Sequence, residues 1–283
     1  MPPVTDDAPF PQLNKVPCMS LSNKLMRLAL ASFGFMILPA TALEQDAASV
    51  ALVDKVVQAY GGAPQIEQMV SLNADGLINA IVRNASGTYK RWFQRPRMLR
   101  VETVYPTTSE TRVLNGDLAW RITGGNLMTG AEGPARLAMI YQYKQLDLPY
   151  GLLKGSYNLQ HAGSETLGNQ VTEVMDLWDD EGPAIRVNVD TATHLIVKVA
   201  GQIDAGGHPM VLAAEFSDFR PVDGMILPFH INNYAGGMAI SETVITRYAI
   251  NPSVDKQLFV PRVKGRDSAM SETAGPLVAA VSR

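Results

Sequence analysis

Side-chain catalysis needs a nucleophile and a base within hydrogen-bond reach, and one neighbourhood of this chain could assemble them. His230 follows Glu215, Ser217, Asp218 and Asp223 by 7 to 15 residues. At that spacing consecutive antiparallel strands bring a carboxylate to an imidazole and set its tautomer. Ser217, between Phe216 and Asp218, lacks the sharp glycine-containing turn that exposes a hydrolase serine. The other histidines, His161, His194 and His208, stand 33 and 14 residues apart, with 22 more to His230, so no pair has the short spacing of a zinc site. The hydrolase elbow, phosphate-binding loop, dinucleotide loop and zinc-peptidase helix are absent as sequence patterns. No cofactor and no metal site is read, and a hydrolase around His230 is the third of three functional readings.

Binding chemistry offers more. Lys90, Arg91, Arg95, Arg97 and Arg100 place five cations within eleven residues, interleaved with Trp92 and Phe93. On a strand, Lys90 and Trp92 share one face while Arg91 and Phe93 share the other, so the cluster is split. Either a solvated strand edge or an anionic-ligand site fits it, and a nucleic-acid partner is not expected. Trp92, Trp120 and Trp178 fall in different predicted strands, with Tyr141 and Tyr143 in a central predicted helix. Large aromatic side chains give contact area with few polar groups to satisfy, so these five line an apolar cleft or fill a core. Periodicity alone does not separate the two.

The elements that must position these residues follow from pattern and punctuation. Apolar residues at helical steps predict a helix over Asp46–Tyr60, stopped by Gly61-Gly62, and a second over Pro64–Val70. Strands are expected over Ser71–Asn84, Thr88–Gln94 and Met98–Tyr105, then a hairpin of Thr111–Leu114 and Leu118–Thr123 on Asn115-Gly116-Asp117. Ile122–Gly133 reads as a loop, Pro134–Gln145 as a helix, and Leu146–Leu153, with Pro149 and Gly151, as irregular. From Gly155 onward, short strands joined by small turns predict a large antiparallel sheet, with Asp190 accepting backbone hydrogen bonds in one of the turns. The helices are the elements free to cover its apolar face. The expected result is one curved sheet with helices on its concave side.

Lys24 to Arg27, the eleven apolar-rich residues Leu28–Leu38 and Pro39-Ala40-Thr41-Ala42 have the order of a secretory signal peptide. The apolar run is short of the roughly 20 residues a membrane span needs. Translation is read as starting at Met19, with residues 1–42 an extension plus signal, cleavage after Ala42, and residues 43–283 a single domain. The sole cysteine, Cys18, precedes the signal core, so the mature chain has no disulfide and no lipoprotein cysteine. Two aspartates against three cations leave +1 in residues 1–42, and −4 in the remainder of a −3 chain. Mild acidity gives no general electrostatic reason to bind nucleic acid.

Four ordered stretches carry a family resemblance. They are Ala59-Tyr60-Gly61-Gly62 leading through Ile66 to Leu72; Asn115-Gly116-Asp117-Leu118-Ala119-Trp120; Val189-Asp190-Thr191-Ala192-Thr193-His194-Leu195-Ile196; and Ser217-Asp218-Phe219-Arg220-Pro221-Val222-Asp223-Gly224-Met225-Ile226-Leu227-Pro228. Together they resemble the LolA/LolB-like superfamily of periplasmic, outer-membrane lipoprotein-sorting-like proteins. The resemblance implies a mainly β fold with α cover, its strongly curved antiparallel sheet forming an unclosed β-barrel around helices. It also implies a hydrophobic cavity that accepts acyl chains in the best-known members, which tilts the aromatic residues toward a cleft. Arg100 is the candidate cavity-edge cation, while no lipoprotein-sorting arginine or membrane-inserting loop is carried over. The first functional reading is therefore a monomeric, non-enzymatic carrier of a hydrophobic or amphiphilic ligand, such as a lipid or lipoprotein acyl chain, in the periplasm of a Gram-negative bacterium. An envelope protein would be its delivery partner, and no membrane segment remains in the mature chain. The second reading is a non-catalytic structural or interaction module of the envelope.

Overall fold

Alternating apolar and polar residues from Ser71 onward build strands, and short turns decide which strands are neighbours. The computed structural model describes residues 47–124 and 127–261. The signal segment, Cys18 and the cleavage point after Ala42 lie outside the described residues. Helices α1 (Ala47–Ala59) and α2 (Ala63–Gln68) precede β1 (Ser71–Ala80), β2 (Ala85–Gln94), β3 (Met98–Val104), β4 (Ser109–Asn115), β5 (Leu118–Thr123) and β6 (Leu127–Gly130). Helix α3 (Gly133–Leu153) is followed by β7 (Asn158–Leu167), β8 (Gln170–Trp178), β9 (Ile185–Asp190), β10 (Ile196–Asp204), β11 (Pro209–Val222), β12 (Met225–Ala235) and β13 (Met238–Ile250).

The strands form one 13-stranded sheet in the order β6-β5-β4-β3-β2-β1-β13-β12-β11-β10-β9-β8-β7. The chain runs from the centre to one edge, restarts at the other edge, and returns until β13 pairs antiparallel with β1. Helix α3 makes the connection between the edges. It therefore crosses a face of the sheet, packing against α1, α2, β3, β4, β5 and β10. Buried apolar residues from this face and the three helices form the main core.

Mainly β with α cover is the observed class, but the expected strong curvature is corrected. The sheet is not strongly curved, which overturns the expected unclosed barrel around the helices. Bulges and kinks are what coil a sheet. Here the register shifts at only four of the strand joints, β1–β13, β9–β10, β12–β13 and β7–β8.

Two local expectations also change. Leu127–Gly130, read as loop, adds an exposed edge strand on β5. Leu146–Leu153, read as irregular, continues α3 through Pro149. Proline inside a helix removes a hydrogen bond and costs about 3 kcal/mol, and burial of Leu148 and Leu152 against the core offsets it.

Two of the resemblance motifs shape turns, one where α1 meets the sheet and one between β9 and β10. Gly61, at φ 116°, ends α1 against the β11–β12 turn, where a Cβ would stand 2.2 Å from the Gly224 carbonyl oxygen. The Asp190 carboxylate accepts from the backbone N–H groups of Ala192 and Thr193 at 2.8 and 2.7 Å, as expected for its turn.

Candidate functional site

Strand alternation sends one set of side chains toward α3, and they do not fill the space beneath it. A cavity of about 370 Å³ remains, inside the ~300–1,000 Å³ range of small-ligand sites. Its floor includes Ile78 and Ala80 of β1, Tyr89 and Arg91 of β2, Leu99, Val101 and Thr103 of β3, Ile231 and Asn233 of β12, and Thr243 of β13. Tyr141, Gln142 and Gln145 of α3 form the roof. At one end the rim is exposed, with Val82 at 73%. There the Glu110 carboxylate is 3.5 to 3.6 Å from three arginines, Arg83, Arg112 and Arg121. A smaller chamber of about 40 Å³ adjoins the large one. It is lined by apolar side chains such as Leu72, Leu148 and Met225, and shares Arg91, Gln145 and Ile231 with its neighbour.

Arg91 is the unusual group in this lining. It is 7% exposed, and among the described residues its Nε has no hydrogen-bond partner and it forms no ion pair. Burial works against its charge, yet the facing oxygens of Tyr89 and Tyr248 hold it above the ordinary arginine range. Tyr248 spends its own proton on the Pro228 carbonyl oxygen at 2.6 Å, which leaves the hydroxyl oxygen turned acceptor toward a cation. On the roof, Gln142 Oε1 is likewise buried without a partner among the described residues.

Of the residues singled out from sequence, Tyr141 lines the cavity. Its ring lies on Gly201, where a Cβ would approach Cδ2 to 2.8 Å, and its hydroxyl donates to the Val199 carbonyl at 2.8 Å. Burial pushes that hydroxyl's pKa up. Tyr143 stacks on Phe93 with ring centroids 5.1 Å apart. Trp92 and Trp120 belong to the opposite face of the sheet, in a separate cluster with Val113 and Phe259 beneath the one-turn helix Lys256–Phe259. Arg100 is on that face too: its Nε donates to Glu102 Oε1 at 2.7 Å, its Nη1 to the Leu258 carbonyl at 2.8 Å, and its guanidinium lies 6.0 Å from the Trp92 ring. Trp178 is half-buried at the end of β8 and outside the cavity lining. Sequence reasoning missed Tyr89, Gln142 and Gln145 as lining residues. It placed Arg91 on the Phe93 face, and an arginine among apolar alternates was the signal available.

The acids around His230 are rearranged relative to expectation. Ser217 Oγ lies 3.0 Å from His230 Nδ1, and His230 Nε2 lies 2.7 Å from Glu242, a carboxylate not among those named from sequence. Glu215 instead accepts from the Tyr234 hydroxyl, and Asp218 from Arg220. The serine, histidine and glutamate span three adjacent strands, with Ser217 exposed. None of them lines either chamber. A nucleophile on an open strand face has no walls to position a substrate or exclude water.

A polar latch fastens the roof. Arg95, just beyond β2, donates from Nε to Asp147 Oδ1 of α3 at 2.6 Å, and from Nη1 to the Ile66 carbonyl at 3.1 Å and to the Met69 carbonyl. Its guanidinium stands 3.8 Å from the Tyr150 ring centroid. Burial raises the pKa of Asp147, with Arg95 pulling it back down. Lys144 of α3 adds a 2.6 Å ion pair to Asp179 in the β8–β9 connection.

The sequence matches no protein-family model and no curated protein. Solved structures similar to it include a DUF1329 family protein from Desulfovibrio piger, at 13% identity and a TM-score of 0.50, with 74% of this chain and 96% of the other covered. A LolA superfamily protein from Nitrosomonas europaea is 14% identical with a TM-score of 0.49, over 75% of this chain and 97% of the other. The likeness is one of fold.

Proposed function

We propose that the protein is a non-catalytic periplasmic carrier that binds a hydrophobic or amphiphilic ligand in the cavity between α3 and the sheet. The observation that carries this reading is the cavity itself, about 370 Å³ with a mainly apolar floor, left open where side chains of a purely structural module would have filled it. Burying acyl carbons there would stabilise a complex by about 0.8 kcal/mol per CH₂ with no chemistry required. The signal-like segment supports export, and among the described residues no helix is long and apolar enough to cross a membrane. The proposal takes residues 43–283 as one domain, acting as a monomer that hands its ligand to an envelope partner.

The test is to express the full-length chain in a bacterial periplasm, purify it without detergent, and examine it by native mass spectrometry. A bound mass of lipid or fatty-acid size, lost on organic extraction, is expected. Repeated recovery of empty protein that also fails to take up a fluorescent fatty-acid probe would sink the reading.

A further inference from the structure

A buried guanidinium with no carboxylate counter-ion presents its whole charge to an anion that reaches it. Among the described residues Arg91 is in that position. The other buried or half-buried cations of this face have theirs: Arg95 holds Asp147 and Lys144 holds Asp179. Glu110, the carboxylate in the cavity lining, is already surrounded by rim arginines. Tyr89 and Tyr248 offer Arg91 neutral oxygens that favour its charge without cancelling it. The site therefore has a fixed positive charge at its inner end and an excess of cations at its entrance.

We infer that the cavity takes a single-chain amphiphile with an anionic head group, a carboxylate or a phosphate, and that the head enters first to become the counter-ion of Arg91. This rests on the carrier reading above and adds the class of ligand to it. The path is laid out in the lining. Rim arginines draw an anion toward the mouth, and Arg91, a lining residue, receives it inside. The tail then lies back toward the mouth over Ile78, Val101 and Ile231. The volume, at the lower end of the small-ligand range, suits one chain rather than several. A charge-assisted pair in a water-poor pocket discriminates against a neutral head of the same length by about ten- to a hundredfold.

Calorimetric titration of the intact protein with decanoate, decyl phosphate, decanol and inorganic phosphate tests this. Decanoate or decyl phosphate is expected to bind at least about tenfold tighter than decanol, and whichever of the two is preferred identifies the head. Inorganic phosphate is expected to bind far more weakly than decyl phosphate. In Arg91→Met the preference for the anion should vanish while decanol binding persists, and Arg91→Lys, which keeps the charge but not the fork, should retain part of it. Equal binding of decanoate, decyl phosphate and decanol by the wild-type protein would overturn the anionic class yet leave the carrier reading standing, and needs no variant to fold. Inorganic phosphate binding as tightly as decyl phosphate would overturn the amphiphile. No heat and no thermal stabilisation with any of the chain compounds would overturn both readings together.

Discussion

Arg91 in β2 and Arg95 just beyond its end are four residues apart, and both reach the helix-covered side of the sheet, yet they are held in opposite ways. Arg95 meets a carboxylate, two carbonyls and an aromatic ring, with only its Nη2 left over. Arg91 meets two tyrosine oxygens and a cavity. The difference teaches how to read a buried cation. A paired one ties elements together, here α2 and α3 to the β2–β3 turn, and one with no carboxylate among the described residues is held ready for an incoming charge.

The contrast predicts substitutions of unequal effect. Arg95→Met, the largest effect, strands Asp147 in a buried site and should cost about 3 kcal/mol, read as a lower urea midpoint. Adding Asp147→Asn should return part of the loss, and a wild-type midpoint in the single variant would show that the latch carries no stability. A second effect comes from the tyrosine facing Arg91. Burial pushes Tyr248 up to about 12 although Arg91 opposes the shift, against 10.0 for a free tyrosine. Between those values the folded chain keeps a proton that the unfolded chain has lost. This contribution to stability is therefore complete below about pH 10 and falls as pH rises toward 12. Urea midpoints measured across that window should decline less steeply in Tyr248→Phe than in the wild-type protein. The smallest effect is Arg91→Met in the absence of ligand, which should leave the urea midpoint nearly unchanged, because release from desolvation and loss of the Tyr89 and Tyr248 contacts oppose each other. A loss as large as that of Arg95→Met would mean that the two arginines do the same work.

Much of the fold was legible because it depends on short-range rules. Gly61-Gly62 stopped α1, Asn115-Gly116 turned β4 into β5, and apolar alternation marked most strands within a few residues. The misses share a cause. Helix α3 passes through Pro149 because Leu148 and Leu152 are buried by partners far along the chain, and no local propensity reports that. Trp92 and Trp120 looked like cleft aromatics, yet the strand face they share is covered by Phe259, more than 130 residues further on. The Ser217–His230–Glu242 alignment depends on the register of three strands, and the sequence window pointed at the wrong acids.

Periodicity and turn chemistry, acting within a dozen residues, determined that this chain is mainly β with a helical cover, and that Arg91 shares its strand face with Phe93 and not with Trp92. Which of the two faces would be roofed was decided only in the tertiary structure, because α3 must cross from the β6 edge to the β7 edge and can lie on one side alone. That crossing buried Arg91, left it without a carboxylate among the described residues and kept a cavity beside it, and it sent Arg100, a residue of the same type in the next strand, to the other face under the chain's last described segment.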